Sequence, residues 1–507
     1  MSIVRRNVVA NAAGSGWALL VSLAAVPFYI RFLGIEAYGV IGVFLSLTAI
    51  FSLLDLGLRA TLNRRLAQLS VQSDTAREMR DLLRTLETIY WGIGIAIGLS
   101  VALMAPMVAT YWIKPQQISI DTASRALTMI GFVIACQWPL ALYSGGMMGL
   151  QKQVALNVTA SVFATVRSLG AVLLLWQLAP TLEVFFAWFI VVSLAETLLT
   201  GYLLWSRLPA TRARPAYSKR QLSGIWRFAA GMTGISVLSI ILTQLDKVIL
   251  SAVLSLEDFG YYMLAWRVAG AIYSLSSPIN SAFFPRISQL AIETDKRELA
   301  RLYHRGCQLT SVLVLPAAIV LTLFGKDVLY LWTADTAIAV NSGPVLGLLA
   351  LGTAVNTLMG LPVTLQIAHG WTRLVLVVGS TAVVLLAPMI YFMSLHFGGI
   401  GAASVWVALN CGYMLFMLRI MHRKLLPGEL REWFLVDTGT PFFAALFVAI
   451  IWKLGLGATY LTYSYGVALL NLAGVSLATA AAALIAAPQA RSLLLHWILM
   501  RSGKIGI

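Results

Sequence analysis

Residues 8–30 read VVANAAGSGWALLVSLAAVPFYI, and residues 36–58 read EAYGVIGVFLSLTAIFSLLDLGL. Each stretch is long and apolar enough to cross the hydrocarbon core of a bilayer, about 30 Å thick, as a helix. Similar stretches recur up to Ala487, and hydrophobic residues make up 59% of the chain against 11% for charged residues. Because backbone polar groups in the bilayer core must be satisfied within the segment, the sequence predicts an all-helical polytopic membrane protein.

We predict about fourteen membrane-spanning helices in the 507 residues. Their predicted bounds are 8–30, 36–58, 87–111, 123–149, 153–176, 182–205, 228–254, 260–284, 306–331, 343–367, 372–394, 398–420, 438–458 and 464–487. The first apolar segment is longer than the hydrophobic region of a signal peptide and is followed directly by another span. We therefore expect no cleavable signal peptide.

The distribution of Lys and Arg predicts the orientation. The two termini and the loops on their side hold 28 of the 36 Lys and Arg residues, whereas the loops on the other side hold 5. We name the first of these the basic side. Because positively charged loops stay in the cytoplasm, both termini are predicted to be cytoplasmic. These basic residues are dispersed among loops at the membrane surface, so we expect no nucleic-acid binding.

A repeat with an offset of 221 residues organises the chain. LGIEAYG at residues 33–39 matches LSLEDFG at residues 254–260, and RLAQL at residues 65–69 matches RISQL at residues 286–290. Each turn joins the first two spans of a predicted six-span unit, so the two units have the same orientation. Transporters built from such parallel repeats bind their substrate between the two halves.

The repeat predicts the domain organisation. Residues 1–206 form an N-terminal lobe with spans 1–6, and residues 228–424 form a C-terminal lobe with spans 7–12. Residues 207–227 are a basic linker, which we interpret as a solvated segment at the cytoplasmic surface, held by anionic membrane lipids. Residues 425–507 add two accessory spans, 13 and 14, and a cytoplasmic tail.

Ionisable residues inside spans are expensive and therefore mark candidate sites. Asp246 and Lys247 lie before the turn between spans 7 and 8, and Arg267 lies after it. The number of residues to the turn is about the same on both sides. We expect one acid and two bases at the same depth, about 10 Å below the helix ends. One interpretation is a structural ion pair, and the other is a site whose remaining cation binds an anion such as a pyrophosphate or an acidic sugar.

Two further pairs have two interpretations each. Arg167 and Glu196 lie near the middle of spans 5 and 6, where they form either a structural ion pair or part of a site. Asp55 and Arg59 are four residues apart at the basic end of span 2, where a helix-end ion pair is the favoured interpretation and a site role is the other.

Enzyme motifs are absent from the sequence. It contains no GxxxxGK[ST] phosphate-binding loop, no HExxH and no nucleophile elbow, and its short loops offer no pair of catalytic acids. The 5 histidines and 3 cysteines show no metal-binding spacing. The sequence thus favours a secondary transporter that is not an enzyme and has no cofactor or metal.

Several segments are similar to one known family. They are NAAG at 11–14, PFYIRFLGIEAYG at 27–39, LDLGL at 54–58, GLQK at 149–152, QLDKVIL at 244–250 and LEDFGYY at 256–262. In these segments the chain resembles bacterial polysaccharide-unit flippases, which handle lipid-linked oligosaccharides of O-antigen or exopolysaccharide. They belong to the multidrug/oligosaccharidyl-lipid/polysaccharide exporter superfamily.

The resemblance implies a bacterial inner-membrane protein with a V-shaped pair of lobes around a cationic cavity. It implies that undecaprenyl-pyrophosphate-linked oligosaccharide units are moved from the cytoplasmic to the periplasmic leaflet by alternating access. The polymerase and the chain-length regulator of the same pathway would be protein partners. The implied substrate-binding residues are Arg59, Arg167, Lys247 and Arg267, and the implied charge-tuning or coupling residues are Asp55, Glu196 and Asp246.

Four alternatives stay open at this point. A flippase for the peptidoglycan lipid precursor also has fourteen spans and a cationic cavity. A multidrug/cation antiporter of the same superfamily usually has twelve spans and a carboxylate-centred site. An integral-membrane polymerase or glycosyltransferase needs a catalytic acid in a loop, and a pure scaffold has no use for charges inside its spans.

Overall fold

The computed structural model describes residues 3–218, 237–238, 240–293, 296–371, 373–456 and 464–492. These residues form helices and connecting segments, without a strand among them, so the predicted all-helical class is confirmed. Contacts divide the chain into two compact units, Met1–Gly260 and Tyr261–Ile507. The predicted lobe boundaries at 206 and 228 stay a prediction.

The long apolar helices of the first unit coincide with the predicted spans, and the polar helix Leu58–Leu69 lies between two of them. The helices of this unit are α1 (Ile3–Leu33), α2 (Ile35–Phe51), α3 (Leu58–Leu69), α4 (Ala76–Met107), α5 (Ile120–Gly149), α6 (Gln153–Gln177), α7 (Leu182–Arg207), α8 (240–253) and the first residues of α9 (Leu256–Gly270). Side-chain caps begin two of them, where Ser119 accepts a hydrogen bond from the Thr122 amide and Thr181 accepts one from the Val184 amide.

The second unit continues the helical series. Its helices after α9 are α10 (Ile272–Glu293), α11 (Lys296–Leu323), α12 (Gly325–Thr333), α13 (Thr336–Leu358), α14 (Gly360–Ala368), α15 (Arg373–Gly412), α16 (Leu418–Leu425), α17 (Leu430–Glu432), α18 (Thr440–Leu456) and α19 (Tyr465–Ile485). A turn of π-helix, Trp433–Gly439, joins α17 to α18.

Eleven helices in the described part of the chain are long and apolar enough to cross a membrane. Most of predicted span 7 lies outside the described residues, and predicted span 8 is interrupted at Ala271, between α9 and α10. Predicted spans 11 and 12 run together in α15, where Gly398 leaves the helical conformation with φ 57°. The count of fourteen therefore stays a prediction.

The repeated turn makes a symmetric contact within the first unit. A Cβ atom on Gly39 would collide with the carbonyl oxygen of Leu256, and a Cβ atom on Gly260 would collide with that of Ile35. Gly39 and Gly260 are equivalent in the 221-residue repeat, and so are Ile35 and Leu256. The glycine of each copy of the turn thus lies against the backbone carbonyl of the other copy. Only glycine, which has no Cβ atom, allows the two backbones to come this close.

The described part of the basic linker contacts the protein rather than solvent alone. The Arg80 guanidinium of α4 donates to the carbonyl oxygen of Pro209 at 2.8 Å. The backbone amides of Ala216 and Ser218 donate to side chains of α4 at 2.8 and 2.9 Å. These hydrogen bonds hold part of residues 208–218 against α4, while Pro209, Arg212 and Arg214 are exposed. The predicted solvated linker stays a prediction, and residues 219–227 lie outside the described part.

Candidate functional site

A cavity of about 420 Å³ lies inside the first unit. Its wall includes four of the seven predicted site residues, namely Asp55, Arg59, Arg167 and Glu196. The other lining residues are Thr48, Ser52, Ile134, Gln137, Trp138, Leu140, Ala141 and Ser144. Helices that are distant in the sequence thus bring two acids and two bases to one cavity within a bundle of membrane helices.

Arg167 and Glu196 form an ion pair at the wall of this cavity. The guanidinium Nη2 of Arg167 lies 2.5 Å from a carboxylate oxygen of Glu196, and the side chains are 23% and 8% exposed. The ring of Phe189 lies 5.8 Å from the guanidinium carbon. The direct ion pair that was one of the two interpretations is therefore present. Both side chains also line the cavity, so an ion pair between them is compatible with a role in binding.

Asp55 and Arg59 do not form the expected helix-end ion pair. Between them Leu56 and Gly57 have φ values of 46° and 76°, so the chain leaves the helical conformation before α3 begins. The Asp55 carboxylate accepts hydrogen bonds from the Tyr90 hydroxyl and from the Arg59 backbone amide. Helical i,i+4 geometry is lost at this break, and the Arg59 guanidinium consequently points to other neighbours.

Arg59 is the exposed cation of the cavity. Its Nη2 lies 3.9 Å from the Met148 sulfur, and no carboxylate of the described residues lies within ion-pair distance of it. A second space of about 380 Å³ also includes Ser52, Asp55 and Arg59 in its wall. Because Arg59 borders both spaces, its guanidinium is well placed to bind an anion that enters either of them.

Asp246 and Lys247 form a buried pair on α8. The Lys247 ammonium lies 3.0 and 3.1 Å from the two Asp246 oxygens and donates to the Thr243 carbonyl at 2.6 Å. The two side chains are 7% and 2% exposed. Lys247 also lines an apolar cavity of about 300 Å³ with residues such as Phe51 and Trp112. Asp246 already neutralises this ammonium, as a buried charge requires.

Arg267 lies on α9 and belongs to the second unit, where its side chain is half-buried. Its predicted position at the depth of Asp246 and Lys247 stays a prediction.

A buried carboxylate that was not among the predicted site residues lies on α4. Glu87 of α4 accepts hydrogen bonds from the Tyr143 hydroxyl at 2.5 Å, the Trp205 indole at 3.2 Å and the Arg84 guanidinium at 3.0 Å. Glu87 stands at the first position of the predicted span 87–111. Helix α4 begins at Ala76 instead, so Glu87 lies about three turns inside it.

A cavity lined by charged side chains within a bundle of membrane helices is typical of membrane transporters, and this is the class to which the protein belongs. The chain belongs to the family described as polysaccharide biosynthesis protein, whose profile matches residues 29–334. This confirms the family resemblance of the motifs, and the chain is a flippase-type transporter rather than an enzyme.

Individual relatives agree with this family. The chain is 22% identical to the "Putative O-antigen transporter" of Shigella flexneri over 407 residues, which cover 80% of this chain and 94% of that protein. It superposes on the lipid II flippase MurJ in an inward closed conformation with a TM-score of 0.69 at 12% identity, covering 92% of this chain and 97% of that one.

An inward-facing multidrug resistance MATE family transporter of the MOP superfamily gives a TM-score of 0.61 at 14% identity, with 80% of this chain and 96% of that chain covered. Likeness at this low identity establishes the transporter fold and nothing about the cargo.

Proposed function

We propose that this chain moves undecaprenyl-pyrophosphate-linked oligosaccharide units from the cytoplasmic to the periplasmic leaflet of the bacterial inner membrane by alternating access. The observation that carries the proposal is the cavity of the first unit, with the exposed guanidinium of Arg59 and the paired guanidinium of Arg167 in its wall. The O-antigen relationship of the Shigella flexneri protein supports the polysaccharide cargo.

The chemistry of Arg59 suits a pyrophosphate. A guanidinium offers a planar set of N–H donors that matches two phosphate oxygens at once, and it stays charged at any physiological pH. Arg59 is exposed, and within the described residues no carboxylate neutralises it. A pyrophosphate therefore gains a charge-assisted contact with Arg59 without first displacing an acid.

Arg167 and Lys247 have a different role in this proposal, because each is already paired. Glu196 holds Arg167, and Asp246 holds Lys247. An acidic head group that approaches either base competes with the resident carboxylate, so Glu196 and Asp246 weaken binding and favour release. Asp55 lies in the wall of the same cavity, where its carboxylate repels an acidic head group, and Arg267 stays a proposed substrate-binding residue.

The proposed orientation places both termini in the cytoplasm, on the basis of the 28 Lys and Arg residues of the basic side. Anionic lipids of the cytoplasmic leaflet bind these loops. The polymerase and the chain-length regulator of the pathway are the proposed protein partners, because they act on the unit once it has reached the periplasmic leaflet.

The test compares the leaflet distribution of the lipid-linked oligosaccharide in a deletion strain that carries one of several variants. Arg59→Gln is expected to leave the intermediate in the cytoplasmic leaflet, whereas Arg59→Lys keeps the charge and retains part of the delivery. The matched control is Arg65→Gln, on the same helix α3 but in an exposed pair with Glu78 outside the cavity.

The proposal is supported if the Arg65→Gln variant delivers the lipid-linked oligosaccharide to the periplasmic leaflet like the wild type and the Arg59→Gln variant leaves it in the cytoplasmic leaflet. Both variants must reach the membrane in equal amounts. Normal periplasmic delivery in the empty deletion strain refutes the proposed cargo. Normal delivery by Arg59→Gln refutes the assigned role of the cavity.

A further inference from the structure

A buried histidine of the second unit lies between two carboxylates, away from the cavity described above. His304 of α11 is 3% exposed, and its Nδ1 lies 2.5 Å from an oxygen of Asp437, which is fully buried. Its Nε2 lies 3.2 Å from a carboxylate oxygen of Glu429. The second Asp437 oxygen accepts a hydrogen bond from the Gln308 amide at 3.1 Å.

The two ring nitrogens of His304 both face carboxylate oxygens, so the placement of their hydrogens has to be explained. An ionised carboxylate only accepts, so the contact with Asp437 requires a hydrogen on Nδ1. The other ring nitrogen then faces the Glu429 oxygen with a lone pair, and two lone pairs at 3.2 Å repel each other. With Asp437 ionised, a cation between the two atoms removes this repulsion, either a second proton on the ring or a metal ion.

The distance is compatible with a metal ion. A charge-assisted N–H···O contact is usually about 2.7–2.9 Å long. Two ligand atoms that are each about 2.0–2.1 Å from one tetrahedral ion lie about 3.3 Å apart. The separation of 3.2 Å between His304 Nε2 and Glu429 is close to this second value.

A third donor completes the arrangement. Glu432 follows Glu429 by three residues, a spacing that places both carboxylates on the same side of the helical segment. Ligand atoms of His304, Glu429 and Glu432 all lie within 4.8 Å of one another. The Glu429 side chain is 33% exposed, which leaves access for the ion and for a water as a fourth ligand.

We propose that His304 Nε2, Glu429 and Glu432 bind a divalent transition-metal ion of the Zn²⁺ type, with Asp437 orienting the imidazole from its other nitrogen. A histidine held by a carboxylate in this way is the common second-sphere arrangement of metal sites. Imidazole with carboxylates suits Zn²⁺ and its neighbours, whereas Mg²⁺ and Ca²⁺ prefer oxygen ligands alone.

The proposed ion connects two parts of the second unit. His304 belongs to α11, and the two glutamates begin the segment that leads through Trp433–Gly439 into α18. Asp437 and Gln308 join the same two parts, and Gln308 also accepts a hydrogen bond from the Gln489 amide beyond α19. The ion therefore fastens the predicted accessory helices to α11, a structural role that is independent of the proposed cargo.

The test measures metal binding by the full chain, purified in detergent with a tag that contains no histidine. After treatment with a chelator and gel filtration, the protein is titrated with Co²⁺, whose visible absorption reports tetrahedral coordination, and with Zn²⁺ in competition. We expect one ion per chain and a higher thermal midpoint with Zn²⁺, since an ion that binds only the folded state stabilises it.

Ligand removal uses near-isosteric substitutions that keep the packing. Glu429→Gln and Glu432→Gln are each expected to weaken binding at least about tenfold, and Asp437→Asn about 10–100-fold. The controls are His396→Gln and Glu298→Gln, which change an exposed histidine and an exposed carboxylate away from the proposed ligands. Both controls are expected to bind the ion like the wild type.

Two results overturn the inference. The first is that the wild type binds no stoichiometric Co²⁺ or Zn²⁺, which identifies the cation between His304 and Glu429 as a proton. The second is that the glutamate variants bind as tightly as the wild type, which places any bound ion elsewhere. Neither result bears on transport of the lipid-linked oligosaccharide, so failure here is distinguishable from failure of the proposed function.

Discussion

The ion pair of Arg167 and Glu196 permits a decisive substitution experiment. Replacing Arg167 by Met leaves the Glu196 carboxylate, 8% exposed, without its guanidinium. Removing one partner of a buried pair costs about 3–5 kcal/mol, because the remaining charge is desolvated and uncompensated. Replacing Glu196 by Gln is expected to cost less, about 1–3 kcal/mol, since the amide oxygen still accepts a hydrogen bond from Arg167.

The double variant Arg167→Met/Glu196→Gln removes both charges. Its loss of stability is expected to be smaller than the sum of the single losses, because neither charge is left alone. In a domain-sized unit about 1 kcal/mol corresponds to about 2–4 °C in the midpoint, so a loss of about 4 kcal/mol for Arg167→Met lowers the midpoint by roughly 8–16 °C.

The assay has two readouts. Thermal midpoints of the detergent-solubilised variants are measured by size-exclusion chromatography after heating, and transport is measured as leaflet distribution in the deletion strain. Our account predicts a double variant that is folded and nearly as stable as the wild type but transports poorly. Wild-type transport by the double variant would refute a role of this pair in the cavity, and wild-type stability of both single variants would refute the structural pairing.

Further substitutions test the fold and the rim of the cavity. Gly39→Ala and Gly260→Ala each place a Cβ atom against a backbone carbonyl, so both are expected to lose about 1–3 kcal/mol in thermal unfolding. Gly92→Ala, with open space around the new atom, serves as the control, and a loss in only one of the equivalent positions would contradict the symmetric contact. Tyr90→Phe removes a hydrogen bond to a cavity carboxylate and is expected to cost about 1.5–3 kcal/mol, so an unchanged midpoint would contradict that contact. Gly398→Ala forces a side chain into a conformation that costs about 1–3 kcal/mol, and an unchanged midpoint would contradict the bend in α15.

Hydropathy was sufficient to predict the membrane-length helices α1, α2 and α4 to α7 of the first unit. Predicted span 182–205 matches α7 at Leu182–Arg207, and predicted span 153–176 matches α6 at Gln153–Gln177. The reason is physical, because a bilayer sets both the length and the apolar character of a spanning helix. The 221-residue repeat was also visible in the sequence, and the contact of Gly39 with Leu256 gives it a structural counterpart.

Side-chain pairing was only partly predictable. Asp246 and Lys247 are neighbours in sequence, and Arg167 and Glu196 share a depth in consecutive spans, so pairing was one of the interpretations. The predicted helix-end ion pair of Asp55 and Arg59 required an unbroken helix between these two residues. The positive φ values at the following two residues depend on how the turn packs, which periodicity cannot reveal.

Clusters formed by distant segments escaped the sequence analysis altogether. His304 and Glu429 are separated by 125 residues, and Glu87 and Trp205 by 118. Motif spacing detects ligands that share a helix or a loop, whereas these partners meet only because whole helices pack against each other. Their detection requires the rotation and depth of each helix, which follow from packing rather than from hydropathy.

The central claim, transport of a lipid-linked oligosaccharide through a cationic cavity, is tested most directly with purified protein in liposomes. A fluorescent undecaprenyl-pyrophosphate oligosaccharide is placed in both leaflets, and a reagent that cannot cross the membrane reports the fraction that reaches the outer one. We predict that the wild type renders the inner pool accessible, and that Arg59→Gln does not while Arg65→Gln does. Equal accessibility in protein-free liposomes, or equal activity of Arg59→Gln and wild type, would contradict the account.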